Sequence, residues 1–259
     1  MQAKDVYEHF QSVGTWVNWD RTCDHILHGD PETEVTGIAT AWIATNEAIR
    51  RAADAGLNLF ISHEGIFYDR LGDESVERMA DEKRALLEGH GMVAMRCHDV
   101  WDRMPDYGIP DAWAEFLGFE TEPRALESFY KICLVGDLTV RELAAAVFER
   151  VREIGQESVS IFGDPEKRVS RLAVGTGAIT RFPVMAELNP DVLLATDDGM
   201  SWTQGGHWAA DLGVPLLIVH HGVAEYPGMA AMADYLSQQF PDVPAKYIPI
   251  DYPWTVVAG

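Results

Sequence analysis

Apolar and polar positions along this chain alternate between two patterns. Short, nearly continuous apolar runs are separated by stretches in which apolar residues recur at the helical spacing. Residues 4–13 read as an amphipathic helix and 36–45 as a strand. A helix is expected over 46–55, with Asn46 as its N-cap and Gly56 as its stop. Strand 57–62, a charged helix at 75–89 ending at Gly89, strand 92–97 and a short helix at 110–117 complete a first series. A second series opens with strand 129–135. Thr139 then caps a helix running to about residue 154, whose apolar positions Val140, Leu143, Ala144, Val147 and Val151 follow the helical period. Strands at 158–162, 169–174, 191–195, 214–219 and 245–250 follow, with helices near 180–188, 202–212 and 226–239. This alternation predicts α/β layers. The polar stretch 120–128, which contains Pro123, is the linker candidate between the two series.

Three of the apolar runs break abruptly into histidine and carboxylate. They are 57–62 before His63-Glu64, 92–97 before His98-Asp99, and 214–219 before His220-His221. Each has the composition of a buried parallel strand. Ligands of open α/β sheets sit beyond the carboxyl ends of such strands, so one shared site built from distant segments is expected. His98 and Asp102 are spaced i, i+4, as are His221 and Glu225. On a helical turn such pairs share a face and can grip one ion. The competing reading is that His221 and Glu225 cap a helix N-terminus. His63 and Glu64 reach one site only if the strand has ended and the chain turns at Gly65.

Taken together, His63, Glu64, Asp102, His221 and Glu225 form a mixed nitrogen and oxygen set suited to Zn, Mn, Fe or Co, with Mg admitted by its carboxylates. Five groups exceed the need of one tetrahedral ion, so two metals are expected, as in two-metal hydrolases. His98 is either a sixth ligand or a partner orienting a carboxylate. His220 competes with His221, but only His221 has the acid at i+4.

The formal net charge of −21 disfavours a broad nucleic-acid surface and an anionic membrane. Cys23, Cys97 and Cys133 lack a CxxC spacing and read as reduced thiols, and no signal-like or membrane-spanning run is evident. A cytoplasmic protein is therefore expected. Asp198, at another strand end, reads as a helix cap, a substrate-holding group or a general base, and Gly175 and Gly177 permit close backbone approach to an anionic group.

The motifs resemble those of the NIF-three-like family of dinuclear metal-centre hexameric proteins, which includes members named GTP cyclohydrolase I type 2. HEGIFY at 63–68 is similar to the family's His-His-Pro-hydrophobic-hydrophobic-Phe signature, HDVWD at 98–102 to its His-x-x-x-Asp, and HHGVAE at 220–225 to its Gly-His-x-x-x-Glu. Trp19-Asp20 and VGTGA at 174–178 match in the same order. The resemblance implies two α/β lobes with mixed sheets flanked by helices and a metal site between the lobes. The lobes would be 1–122 and 123–259, with 214–259 supplying the later ligands and packing back on the first lobe.

It also implies a homohexamer and a dinuclear hydrolase of a small molecule, nucleotide or purine-like, using a metal-bridging hydroxide. By position the ligands are again His63, Glu64, Asp102, His221 and Glu225. His98 and Asp20 are the candidates for proton transfer. The alternatives are a non-catalytic metal-binding scaffold and a mononuclear site, Glu64 having cost the chain one metal.

Glu64, Gly65 and His220 depart from the family pattern, where histidine, proline and glycine stand. A third carboxylate lowers the summed charge of two dications and their ligands from +2 to +1, so bound water should be less acidic. Glu64→His is expected to change metal content and to move the pH–rate profile to lower pH. Identical metal content and profiles in variant and parent would overturn this.

Overall fold

The computed structural model describes residues 1–67, 74–175, 177 and 181–257. Tyr68, Thr176, Ala178 and the start of the helix expected from residue 180 lie outside them. In chain order the first elements are α1 (Ala3–Val13), β1 (Ile26–His28), β2 (Ile38–Ala41), α2 (Asn46–Asp54), β3 (Leu59–Ser62), α3 (Glu74–Gly89) and β4 (Val93–Arg96). Next come α4 (Ile109–Leu117), β5 (Glu120–Thr121), β6 (Tyr130–Thr139), α5 (Val140–Val151), β7 (Ser160–Phe162) and β8 (Arg168–Gly175). The chain ends with α6 (Phe182–Ala186), β9 (Val192–Thr196), α7 (His207–Leu212), β10 (Leu216–Val219), α8 (His221–Gln239) and β11 (Ala245–Tyr247). No helix among the described residues is long and apolar enough to cross a membrane.

The chain is a mixed α/β protein with two sheets and flanking helices. Two compact units contain them. The first takes in Met1–Gly108 and Met229–Ile250, and the second Ile109–Gly228 and Asp251–Gly259. In the first unit the sheet order is β1-β4-β3-β2-β11, parallel except for the antiparallel edge strand β1. Strands β2 and β3 are buried throughout. That follows from runs without polar alternation, because helices cover both faces of a parallel sheet. Ile49, Phe60, Leu87 and Ala94 belong to one cluster of its core.

In the second unit the order is β5-β6-β8-β9-β10-β7, with β8, β9 and β10 parallel and the remainder antiparallel. Its core gathers Ile132, Ala173, Met185, Leu193 and Leu216. The expected α5 cap is present: Thr139 Oγ1 accepts from Glu142 N at 3.2 Å while Glu142 Oε2 accepts from Thr139 N at 2.8 Å. All five apolar positions singled out in that helix are buried.

Several boundaries differ from the sequence reading. Thr45, not Asn46, caps α2, accepting from Ala48 N at 3.0 Å. Helix α8 starts at His221 and carries Pro227 inside it, well before the expected start at 226. Proline is disruptive within helices and common at their first turn, so Pro227 marks a false start. Residues 202–206 form a π-helical turn before α7 rather than its opening turn.

The linker candidate contains β5, a two-residue edge strand that pairs with β6 through its backbone. The rest of that stretch is anchored as well. Arg124 Nε donates to Asp111 Oδ2 at 2.9 Å, and Lys131 Nζ to Asp111 Oδ1 at 2.7 Å. Burial alone would raise the Asp111 pKa, but its two cations outweigh that and hold it below the ordinary 3.8. Asp111 therefore stabilises the fold above about pH 3.8, and this contribution is lost as pH falls through its lowered folded value. Asp111→Asn leaves two cations facing a neutral amide in a buried site. It is expected to cost about 3 kcal/mol in urea unfolding at pH 7 and to flatten the acid limb of the stability curve. A loss below about 1 kcal/mol would show the network to be energetically minor.

Candidate metal-binding site

In the first unit the side chains of interest stand at the carboxyl ends of β3 and β4. His63 is fully buried, and its Nδ1 is 3.3 Å from the Cys97 carbonyl. Since that oxygen can only accept, Nδ1 carries the proton and Nε2 is left as the donor atom for a ligand. Nε2 lies 3.5 Å from Asp102 Oδ1. Asp102 is 2% exposed and sits one helical turn after His98, its N–H donating to the His98 carbonyl at 2.8 Å. The rings of His63 and His98 stack with centroids 4.5 Å apart. His63, His98 and Asp102 thus form a group that could hold a metal ion.

The turn is fixed by the buried Asp24. Its Oδ1 accepts from the N–H groups of His98 at 2.7 Å and Asp99 at 3.1 Å, and its Oδ2 from Val100 at 2.9 Å. His98 Nδ1 lies 2.9 Å from Asp99 Oδ1 and 3.6 Å from Asp102 Oδ2. Burial disfavours its charged form, but Asp102, Asp99 and Cys23 outweigh this and push its pKa up to about 12. An arriving dication must therefore displace a proton if it is to use that nitrogen.

Glu64 takes a different partner. Its Oε2 lies 3.2 Å from Arg96 Nη2, while Arg96 Nε donates to the His63 carbonyl at 3.0 Å. A charge count over the carboxylates alone omits this guanidinium. Including it, exchange of a neutral histidine for the Glu64–Arg96 pair leaves the summed charge unchanged. Asp20 lies in the turn after α1 with its side chain exposed, and it belongs to none of the metal-capable groups among the described residues.

In the second unit the equivalent positions are the carboxyl ends of β8, β9 and β10. His221 opens α8, so His221 and Glu225 share a face as the spacing required, with His221 Nε2 3.1 Å from Glu225 Oε1. Glu225 is 1% exposed. Of the two acids after β9, Asp197 takes the capping role read for Asp198, and Asp198 holds the imidazole instead. Asp197 Oδ1 caps the helix by accepting from His221 N at 2.9 Å, and Asp198 Oδ2 lies 2.8 Å from His221 Nδ1. Asp198 thereby orients the imidazole and aims Nε2 at Glu225. Burial would lower the His221 pKa, but Glu225 and Asp198 outweigh it and push it up to about 11. His220 faces elsewhere: its N–H donates to Gln156 Oε1 at 3.0 Å and its ring meets Tyr252 edge-on at 5.6 Å.

Gly177 completes this group. Its carbonyl accepts from Thr196 Oγ1 at 2.7 Å, and a Cβ built on it would overlap both His221 Nε2 and Glu225 Oε1. Glycine here keeps the donor atoms accessible; the sequence reading had assigned this freedom to approach of an anionic group. A small cavity beside it is lined by Trp113, Tyr130, Gly175, Gly177, Thr196 and Ala224, among others. Two histidine–carboxylate pairs, each with its outer nitrogen aimed by a second group, match the donor chemistry of borderline divalent metals.

The fold and these groups define an α/β protein with side-chain clusters that could hold metal ions at the carboxyl ends of its parallel strands. A family model described as Duf34/NIF3 (NGG1p interacting factor 3) matches residues 1–252, and the chain belongs to that family. A Clostridium perfringens protein named GTP cyclohydrolase 1 type 2 homolog is 20% identical over 250 residues, covering 92% of each chain. Among solved structures, Staphylococcus aureus hypothetical protein SA1388 superposes with TM-score 0.83 at 18% identity over 99% of both chains. Protein ybgI, described as of unknown function, gives 0.82 at 21% identity over 98% of this chain and all of its own.

Gly177→Ala is expected to drive His221 and Glu225 apart. In chelator-treated protein, NMR titration should then show the His221 pKa falling from about 11 toward the ordinary histidine range. An unchanged value would mean that the loop yields to the added methyl instead.

Proposed function

We propose that the chain is a dinuclear metal-dependent hydrolase of a small molecule, with His63, Glu64, Asp102, His221 and Glu225 as ligands to two divalent ions. The observation that carries this reading is the repeated device of a histidine–carboxylate pair at a strand end with the imidazole oriented from behind. Cys97 O does this for His63, and Asp198 for His221. Gly177 supports it by leaving the His221–Glu225 face open. When bound, such ions acidify water and polarise the scissile group.

The chain's own residues would do the rest. Asp102 and Glu225, each about nine-tenths buried or more, hold negative charge where water cannot screen it. His98, held between Asp99 and Asp102, carries a proton at Nδ1 and is the first candidate to pass it to a leaving atom, once the carboxylates that hold its pKa up are engaged elsewhere. Asp20, exposed in its turn, is the second candidate, reached only from solvent. Arg96 keeps Glu64 oriented and offsets its charge.

The substrate class, a nucleotide or purine-like ring, is carried over from the names of the curated relatives. Assembly as a homohexamer is the accompanying expectation from the family resemblance, and a cytoplasmic location that from the reduced-thiol reading of the cysteines.

Protein purified without chelator should contain close to two equivalents of transition metal by elemental analysis. With GTP as probe, it should release formate as the ring opens. His221→Ala should lower the metal content and reduce turnover by roughly a hundredfold or more. Bound metal without turnover of any nucleotide would favour the scaffold reading, and absence of metal would overturn both.

A further inference from the structure

Cys23 has no part in the proposed hydrolytic centre, yet the fold holds it beside two metal-type donors. Its Sγ lies 3.9 Å from Asp99 Oδ1, which in turn lies 2.9 Å from His98 Nδ1. Cys23, His98 and Asp99 each offer a donor atom within 4.8 Å of the others. All three are half-buried, so the group is desolvated in part and still reachable by an ion.

This closeness is built into the backbone on both sides of the cysteine. Thr22 Oγ1 donates to Asp99 Oδ2 at 2.8 Å, which turns Oδ1 toward Cys23 and His98. Asp24, on the other side, accepts from the N–H groups of His98, Asp99 and Val100. Asp24 N donates back to Thr22 Oγ1 at 3.1 Å, closing the segment on itself. The thiol is therefore presented by the folded chain and needs no loop closure to reach the donors. Thiol-to-carboxylate hydrogen bonding alone would need neither the histidine nor the carboxylate turned by Thr22.

We propose that Cys23, His98 and Asp99 form a separate site for a thiophilic divalent ion, Zn2+ or a chemically similar dication. Sulfur, nitrogen and oxygen donors in one group select such ions over Mg2+ or Ca2+. Around a tetrahedral ion with the usual bond lengths, neighbouring donors stand about 3.3–3.7 Å apart. The Cys23–Asp99 contact at 3.9 Å closes by about a third of an ångström, and the His98–Asp99 hydrogen bond opens by about half an ångström as the metal takes its place. The Cys23 thiol and the His98 imidazolium each give up one proton to solvent, so that thiolate and neutral imidazole bind, and water fills the fourth position. This site shares His98 with the proposed hydrolase and would take the nitrogen that carries its proton there, but its formation does not require that the chain be a hydrolase.

The test uses the full chain, freed of metal and kept reduced, titrated with Co2+ alone. A near-ultraviolet thiolate-to-cobalt charge-transfer band should grow and saturate. It should be absent in Cys23→Ser and Cys23→Ala, and Asp99→Asn should weaken the binding that produces it by roughly tenfold or more. The band should persist in the double variant His221→Ala, Glu225→Gln, which removes the second-unit pair, so failure of the proposed hydrolase leaves this result standing. In the unmutated protein, Zn2+ should protect Cys23 from alkylation, read by peptide mass. No band in the parent, a band undiminished in both Cys23 variants, or alkylation of Cys23 unaffected by Zn2+ would each overturn the proposal.

Discussion

A single buried carboxylate, Asp24, accepts three successive backbone N–H groups at the start of the turn after β4. Those donors are left without partners where a strand ends, and a buried amide without an acceptor costs a kilocalorie or more. By satisfying them together, Asp24 fixes the path of the chain from His98 to Val100 and hence the direction of three side chains. His98 is set against His63, Asp99 is set toward Cys23, and Asp102 follows one turn later. The chemistry of the first unit depends on this anchor more than on any one ligand.

The second unit solves the same problem with different residues. Asp197 satisfies the first amide of α8 and Asp198 takes the imidazole behind it. Thr196 bonds Gly177 and thereby brings the end of β8 to the same place. In both units a parallel strand delivers the chain, a carboxylate absorbs the exposed amides, and a histidine has one nitrogen held by an acceptor and the other turned toward a carboxylate. Strand ends suit such work because the sheet has already paired the backbone behind them.

Much of this was legible in the residues. The apolar runs before His63, His98 and His220 became β3, β4 and β10, and the i, i+4 spacing of His221 and Glu225 became a shared helical face. What escaped notice has physical causes. The strands β1 and β5 are short edges paired through the backbone, which carries little side-chain signal. Pro227 masked the true start of α8. The partners Asp24, Asp198 and Arg96 are distant in sequence from the groups they hold, and periodicity says nothing about such pairings. Asp197-Asp198 directly after an apolar run was the visible hint for one of them.

The pairing of Glu64 with Arg96 has a consequence for how such a chain changes over time. Their side chains are 23% and 14% exposed, so either charge left without the other is poorly solvated. A histidine restored at 64 beside an unchanged Arg96 strands the guanidinium, and a neutral residue at 96 beside an unchanged Glu64 strands the carboxylate. The two positions are therefore coupled, and an exchange at one is least costly when the other changes with it.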